Sequence, residues 1–130
     1  MRFAARVFRI AGIYGLLAVA PIYFSEGQIA RLFPPAITHP EYYYGFAGVT
    51  LAWQVLFLLL SRDPVRHRPL MLPAVLEKAT YGIAVICLFA QQRVAAFVLG
   101  TGIVDLILGV LFLIAYRKTG RTAWPLNGVK

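Results

Sequence analysis

Four long apolar runs, separated by polar connections, constrain this chain more than any other feature of its sequence. A helix that crosses a bilayer needs about 20 mostly apolar residues, and such windows cover about residues 7–24, 42–60, 70–90 and 94–116. In lipid each spanning segment must satisfy its own backbone N–H and C=O groups, so these runs read as helices. The expected fold is all-α: an antiparallel membrane four-helix bundle, one transmembrane domain over residues 1–130. Only Gln91, Gln92 and Arg93 are expected between the third and fourth helices, a turn that makes those two antiparallel neighbours. Composition closes the soluble alternative. The chain is 60% hydrophobic and 14% charged, whereas soluble domains carry about 45–50% apolar and about 25% charged residues.

The net charge of +8 is distributed as punctuation between apolar runs, which does not suit a nucleic-acid interface. Ten of the 13 basic residues are expected on one side: Arg2, Arg6, Arg9, Arg62, Arg66, Arg68, Arg117, Lys118, Arg121 and Lys130. Arg31 and Arg93 fall on the other. Basic loops resist translocation, so both termini are expected in the cytoplasm of a bacterial inner membrane. An even number of crossings requires the same agreement between termini. Residues 1–20 have the layout of a signal peptide, but Pro21 follows the small residues directly and the apolar run resumes, so an uncleaved first helix is expected. Tyr23, Phe24, Phe33 and Tyr42 to Tyr44 would mark the outer interface, with Tyr116 and Trp124 at the inner one. Ile29, Leu32 and Phe33 are expected on a short amphipathic turn at the outer headgroups.

Charged residues inside the spans are the informative ones. Asp105 is the twelfth residue of a 23-residue window, where a carboxylate costs about 2.5–3.5 kcal/mol on insertion scales. Glu77 and Lys78 cannot precede their span, because the 12 residues from Ala79 to Ala90 are too few to cross. At a rise of about 1.5 Å per residue, Glu77, Lys78 and Gln54 lie roughly 9–12 Å from the basic side, and Tyr81 and Asp105 near about 16 Å. Glu77, Lys78, Asp105, Tyr81, Gln54 and Arg9 therefore form the candidate intramembrane polar site. Pairing by depth gives Glu77 with Arg9 or Arg6, Asp105 with Tyr81 or Lys78, and Gln54 bridging, while Lys78 has the alternative of snorkelling to headgroups.

Gly100, Gly102 and Gly109 around Asp105, Gly45 and Gly48 on the second helix, and Ala84 above Tyr81 mark expected close helix contacts. His39 and His67 lie outside the spans, and no His pair or His/Glu cluster has ligand spacing, so neither metal nor haem is expected. Cys87 is the lone cysteine and reads as a small hydrophobe, which leaves no intrachain disulfide or redox pair. No phosphate-binding or nucleophile-elbow motif is present, and no cofactor and no catalytic residue is expected.

His39-Pro40-Glu41-Tyr42-Tyr43-Tyr44-Gly45-Phe46, Ala52-Trp53-Gln54, Asp63-Pro64-Val65-Arg66, Glu77-Lys78 and Asp105 with Gly109 to Phe112 resemble, as a set, a group of small uncharacterised bacterial four-span membrane proteins. By size and helix layout the chain is similar, more loosely, to the DoxX-like membrane proteins, some of which are linked to quinone or thiol redox systems. The resemblance implies an integral membrane protein and brings no activity with it. The residues themselves leave three readings open. The first is a structural or accessory membrane subunit whose buried charges serve assembly, with the lipid bilayer, a second copy or another membrane protein as partner and no nucleic acid. The second is proton-coupled or small-molecule transport through Glu77, Lys78 and Asp105. The third is a membrane enzyme acting on a lipid or quinone.

Overall fold

A computed structural model describes residues 2–122, mostly helical, with an irregular connection at 33–39 and no strand among the described residues. Five helices follow in chain order: α1 (Arg2–Tyr23), α2 (Glu26–Leu32), α3 (Pro40–Arg62), α4 (Met71–Ala90) and α5 (Ala96–Thr122), with a 3-10 turn at Arg68–Leu70 leading into α4. Four stretches are long and apolar enough to cross a membrane: Arg2–Tyr23, Pro40–Arg62, Arg68–Ala90 and Ala96–Gly120. Their positions follow the apolar windows, with shifts at the ends. α1 begins at Arg2, ahead of the apolar run, and α5 extends past Tyr116. The α4–α5 connection is five residues long, against the three expected, and Gln92 within it takes a left-handed φ of 58°. Its turn is closed by Gln92 N–H to Phe89 O (2.9 Å) and Arg93 N–H to Leu88 O (2.9 Å). Trp124 and Lys130, read above as inner-side markers, lie outside the described residues.

The spanning helices associate chiefly as two pairs, α1 with α3 and α4 with α5, while α3 and α4 barely touch. In both pairs small residues permit the close approach, since without lipid-excluding hydrophobicity helix contact rests on packing. A Cβ at Gly12 would meet Leu58 and the carbonyl of Gln54, and one at Gly15 would overlap the Gln54 side chain. Across the other pair Gly82 lies against Leu106 and Gly102, and Gly102 against Val85. Residue numbers rise along one helix as they fall along its partner, from Lys78 beside Gly109 to Val85 beside Gly102. The glycines expected to do this are only partly the ones that do. Gly45, Gly48 and Gly100 have open space where a Cβ would stand, and Ala84 is exposed.

One end of the molecule is basic. Arg68 donates from Nε to the Tyr116 carbonyl (3.1 Å), its guanidinium lies 3.8 Å from the centre of the Tyr116 ring, and Lys118 stands 4.6 Å from the centre of the Phe3 ring. A cation among the last carbonyls of a helix offsets its negative terminal dipole, and Gly120 leaves room for the Arg68 side chain. Beneath this end lies a cluster of apolar side chains. Phe8, Phe57 and Phe112 are fully buried with Ala4, Ala11, Leu60, Met71, Ala74 and Ala115. The Phe8 and Phe112 rings stack at 4.3 Å, and Phe57 meets Phe112 edge-on at 5.0 Å. The three rings, drawn from three helices, join the two pairs.

The opposite end is tied by tyrosines. Tyr43 donates its hydroxyl to the Ile22 carbonyl, and Tyr44 donates to Glu26 Oε2 at 2.7 Å. Phe33, just after α2, stacks on Phe97 of α5 at 6.0 Å. Pro21 within α1 has no N–H to give, and the turn beyond it is held by the Ser25 hydroxyl on the Pro21 carbonyl.

Candidate functional site

The polar residues converge between the aromatic layer and the tyrosine end. Lys78 is 5% exposed, which rules out snorkelling and obliges it to find partners at depth. It donates to both carboxylate oxygens of Asp105, each at 3.1 Å, and to Glu77 Oε1 at 3.4 Å. Glu77 Oε2 is 3.3 Å from the same ammonium, close enough for an ion pair but without hydrogen-bond geometry. The Lys78 ammonium also lies 5.6 Å from the centre of the Phe57 ring, so it rests on the aromatic layer. Gly109 makes this possible by admitting the Lys78 Cβ (3.3 Å from where its own would stand), which brings α4 and α5 close at this level. The result is a buried triad of two carboxylates around one ammonium, spanning α4 and α5.

Tyr81, one turn beyond Glu77, points to Thr101 and not to Asp105. Its hydroxyl oxygen is 2.9 Å from Thr101 Oγ1, and Thr101 gives its own proton to the Val98 carbonyl (2.7 Å). A hydroxyl has one proton, so Tyr81 is the donor to Thr101. Gln54 is 2% exposed and does not bridge the pairs. Its Nε2 donates to the Thr50 carbonyl on its own helix (3.0 Å), and the amide lies over Gly15. Arg9 stands apart from the group. It is exposed, because α1 turns Ala4, Phe8, Ala11, Gly12 and Gly15 inward and Arg9 follows Phe8 by about 100° onto the outer surface. Arg6 shares that outer face, and Glu77 finds its cation in the adjacent Lys78 instead.

Around these residues lies a cavity of ≈ 230 Å³, partly open, walled by α1, α3, α4 and α5. Gln54, Lys78, Glu77 and Asp105 form its floor, directly above the phenylalanine layer. Its walls rise through Tyr14, Thr50, Tyr81 and Thr101 to Ile22, Phe46 and Phe97 near the tyrosine end. Exposure follows the same gradient: Tyr14, Phe46 and Phe97 are 45%, 48% and 69% exposed, while on the floor Gln54 and Lys78 are buried and Glu77 and Asp105 partly so. The cavity lies on the tyrosine side of the phenylalanines, which close the centre between the helix pairs on the other side. It exceeds the roughly 150 Å³ apolar cavity known to hold a benzene ring, and lies below the roughly 300–1,000 Å³ of drug-sized pockets.

Thr50 and Thr101 were not among the residues singled out from sequence. The signal that finds them is spacing: Thr50 with Gln54, Glu77 with Tyr81, and Thr101 with Asp105 are each i and i+4 pairs, so three helices each present one polar face to the same space. Among the described residues no group of three His, Cys, Asp or Glu side chains is placed to hold a metal ion. No family model, no curated protein and no solved structure matches the chain.

Proposed function

We propose that this chain is a multi-pass protein of the bacterial inner membrane, an antiparallel bundle of four spans with both termini in the cytoplasm, and that its cavity binds a small, mainly apolar molecule. The observation that carries the binding reading is the cavity itself: apolar walls enclosing a buried polar floor are the usual anatomy of a small-molecule site. Descending contact registers within both helix pairs support the antiparallel arrangement, and basic residues gathered at one end support the orientation.

Two of the three readings left open by the sequence, assembly through the buried charges and transport, fit the packing less well than binding does. Lys78 finds both of its carboxylates within one chain, so these ion pairs join α4 to α5 without a residue from a partner subunit. Passage of a proton or solute to the basic end would have to cross the Phe8, Phe57 and Phe112 layer, which is fully buried and closely stacked.

Mass spectrometry of small molecules retained after purification in lipid tests this reading. The control is Thr50→Phe, which puts a ring into the cavity while sparing the Gln54 bond, because that bond ends on the Thr50 backbone carbonyl. A molecule retained by the unaltered chain and lost from Thr50→Phe is the expected result, and identical profiles would overturn it. Orientation is checked by a C-terminal reporter, expected inside the cell.

A further inference from the structure

We infer that the occupant of this cavity is a small organic cation, an apolar body of about one ring carrying an ammonium that donates hydrogen bonds to the floor. The inference rests on the binding reading above and adds the chemical class of the ligand.

Charge supplies the first argument. Among the described residues, the charged side chains on the cavity surface are Glu77, Lys78 and Asp105, which with all three ionised leave one negative charge in excess. Arg9, the cation expected to balance it, is on the outer surface of α1. An unbalanced charge in a low-dielectric interior is costly, and a monovalent cation in the cavity offsets it. An anion would double the imbalance.

The hydrogen-bond inventory supplies the second. Lys78 spends its donors on Asp105 and Glu77, Tyr81 spends its proton on Thr101, Thr101 on Val98, and Gln54 one of its two on Thr50. What remains is mostly acceptor: Glu77 Oε2, buried without a hydrogen bond, the Gln54 side-chain carbonyl, and the lone pairs of Tyr81. The donors left are the second Gln54 N–H and the hydroxyls of Thr50 and Tyr14. A ligand rich in N–H groups matches the acceptors, Glu77 Oε2 first among them. A quinone, which offers only carbonyl acceptors, would leave that carboxylate oxygen without a donor. Tyr14, Phe46, Tyr81 and Phe97 also give the walls aromatic faces, which attract cations.

The test uses three probes of similar shape, phenethylammonium, 2-phenylethanol and phenylacetate, titrated into the full chain in nanodiscs of zwitterionic lipid. Protein-free nanodiscs correct for partition into the bilayer. Phenethylammonium is expected to bind saturably and at least about tenfold more tightly than 2-phenylethanol, a difference of about 1.4 kcal/mol, and phenylacetate to show no saturable binding. Glu77→Gln, which removes the excess charge, is expected to abolish the tenfold preference while retaining 2-phenylethanol. The probe comparison on the unaltered chain needs no variant and stands even where Glu77→Gln fails to fold. Equal or tighter binding of the alcohol or the acid overturns the cation inference and leaves the cavity reading in place. If none of the three binds saturably, and Thr50→Phe titrates like the unaltered chain, the cavity reading itself falls.

Discussion

The two halves of the helix assembly solve opposite problems with the same four spans. Toward the basic end, rings from α1, α3 and α5 fill the centre, and the hydroxyls buried there, of Ser61 and Thr119, bond to carbonyls of their own helices. Toward the tyrosine end, the centre is left partly empty and the polar side chains of α3, α4 and α5 are turned into it. The boundary is Lys78, which rests on Phe57 on one side and holds Asp105 and Glu77 on the other. The contrast teaches that the charges do not hold the bundle together alone. Apolar packing joins the two helix pairs at one end, and the cavity lies between them at the other.

The largest way to break this contrast is to remove the ion that sits on the boundary. Lys78→Met leaves two buried carboxylates facing one another with no cation, and breaking a buried pair from one side costs about 3–5 kcal/mol. Thermal unfolding in detergent is expected to show most of the folded protein lost. The triple change Glu77→Gln, Lys78→Met, Asp105→Asn, which removes the charges altogether, is expected to recover most of it. Unfolding of Lys78→Met at the temperature of the unaltered chain would show that the triad is not structural.

Next in size is the packed half. Phe112→Ala removes the ring that both Phe8 and Phe57 contact. Loss of a buried phenylalanine costs about 3–5 kcal/mol in soluble cores; the lower end, about 3 kcal/mol, is expected here because transfer into lipid replaces transfer into water. Phe46→Ala, at the half-exposed rim of the cavity, is expected to cost under about 1 kcal/mol. Equal losses from the two phenylalanines would erase the distinction between the halves.

How far this was legible from sequence differs between the same two regions. The spans were legible, because length and apolarity alone decide whether a helix can cross, and the charges at depth stood out against that background. Which charges meet was not. Arg9 and Glu77 have compatible depths, yet a rotation of 100° separates Arg9 from Phe8, and the ring takes the inward position. Depth is a one-dimensional measure, and pairing also needs the azimuth of each helix. The glycines show the same limit: Gly15, Gly82 and Gly102 lie at contacts while Gly45 and Gly48 face open space, and composition does not distinguish them. The cavity was least legible, since its lining comes from four helices and belongs to no single segment.

Gly15→Val tests the join between α1 and α3 beside the floor. A Cβ there overlaps the Gln54 side chain, which must leave its place over α1 and its bond to Thr50. Overpacking of this kind costs about 1–3 kcal/mol. Gly45→Val, with nothing near its Cβ, is expected to leave the unfolding temperature unchanged or slightly raised, because glycine within a helix is itself unfavourable. A greater loss at position 45 than at 15 would mean that α3 packs on α1 through its other face.

The smallest expected effect is the most discriminating within the cavity half. Tyr81→Phe removes the proton donated to Thr101 and the ring stays in place against Phe46 at 6.2 Å. Thr101 still gives its own proton to the Val98 carbonyl, so no buried donor is orphaned and only an acceptor lone pair loses its partner. A typical net hydrogen bond contributes about 0.5–1.5 kcal/mol, and the lower end applies where the partner keeps its second bond. Unfolding in detergent is therefore expected to shift by about 0.5 kcal/mol or less. A loss several times larger would place Tyr81 within the network that Lys78 organises and move the boundary between the two halves one helical turn toward the tyrosine end.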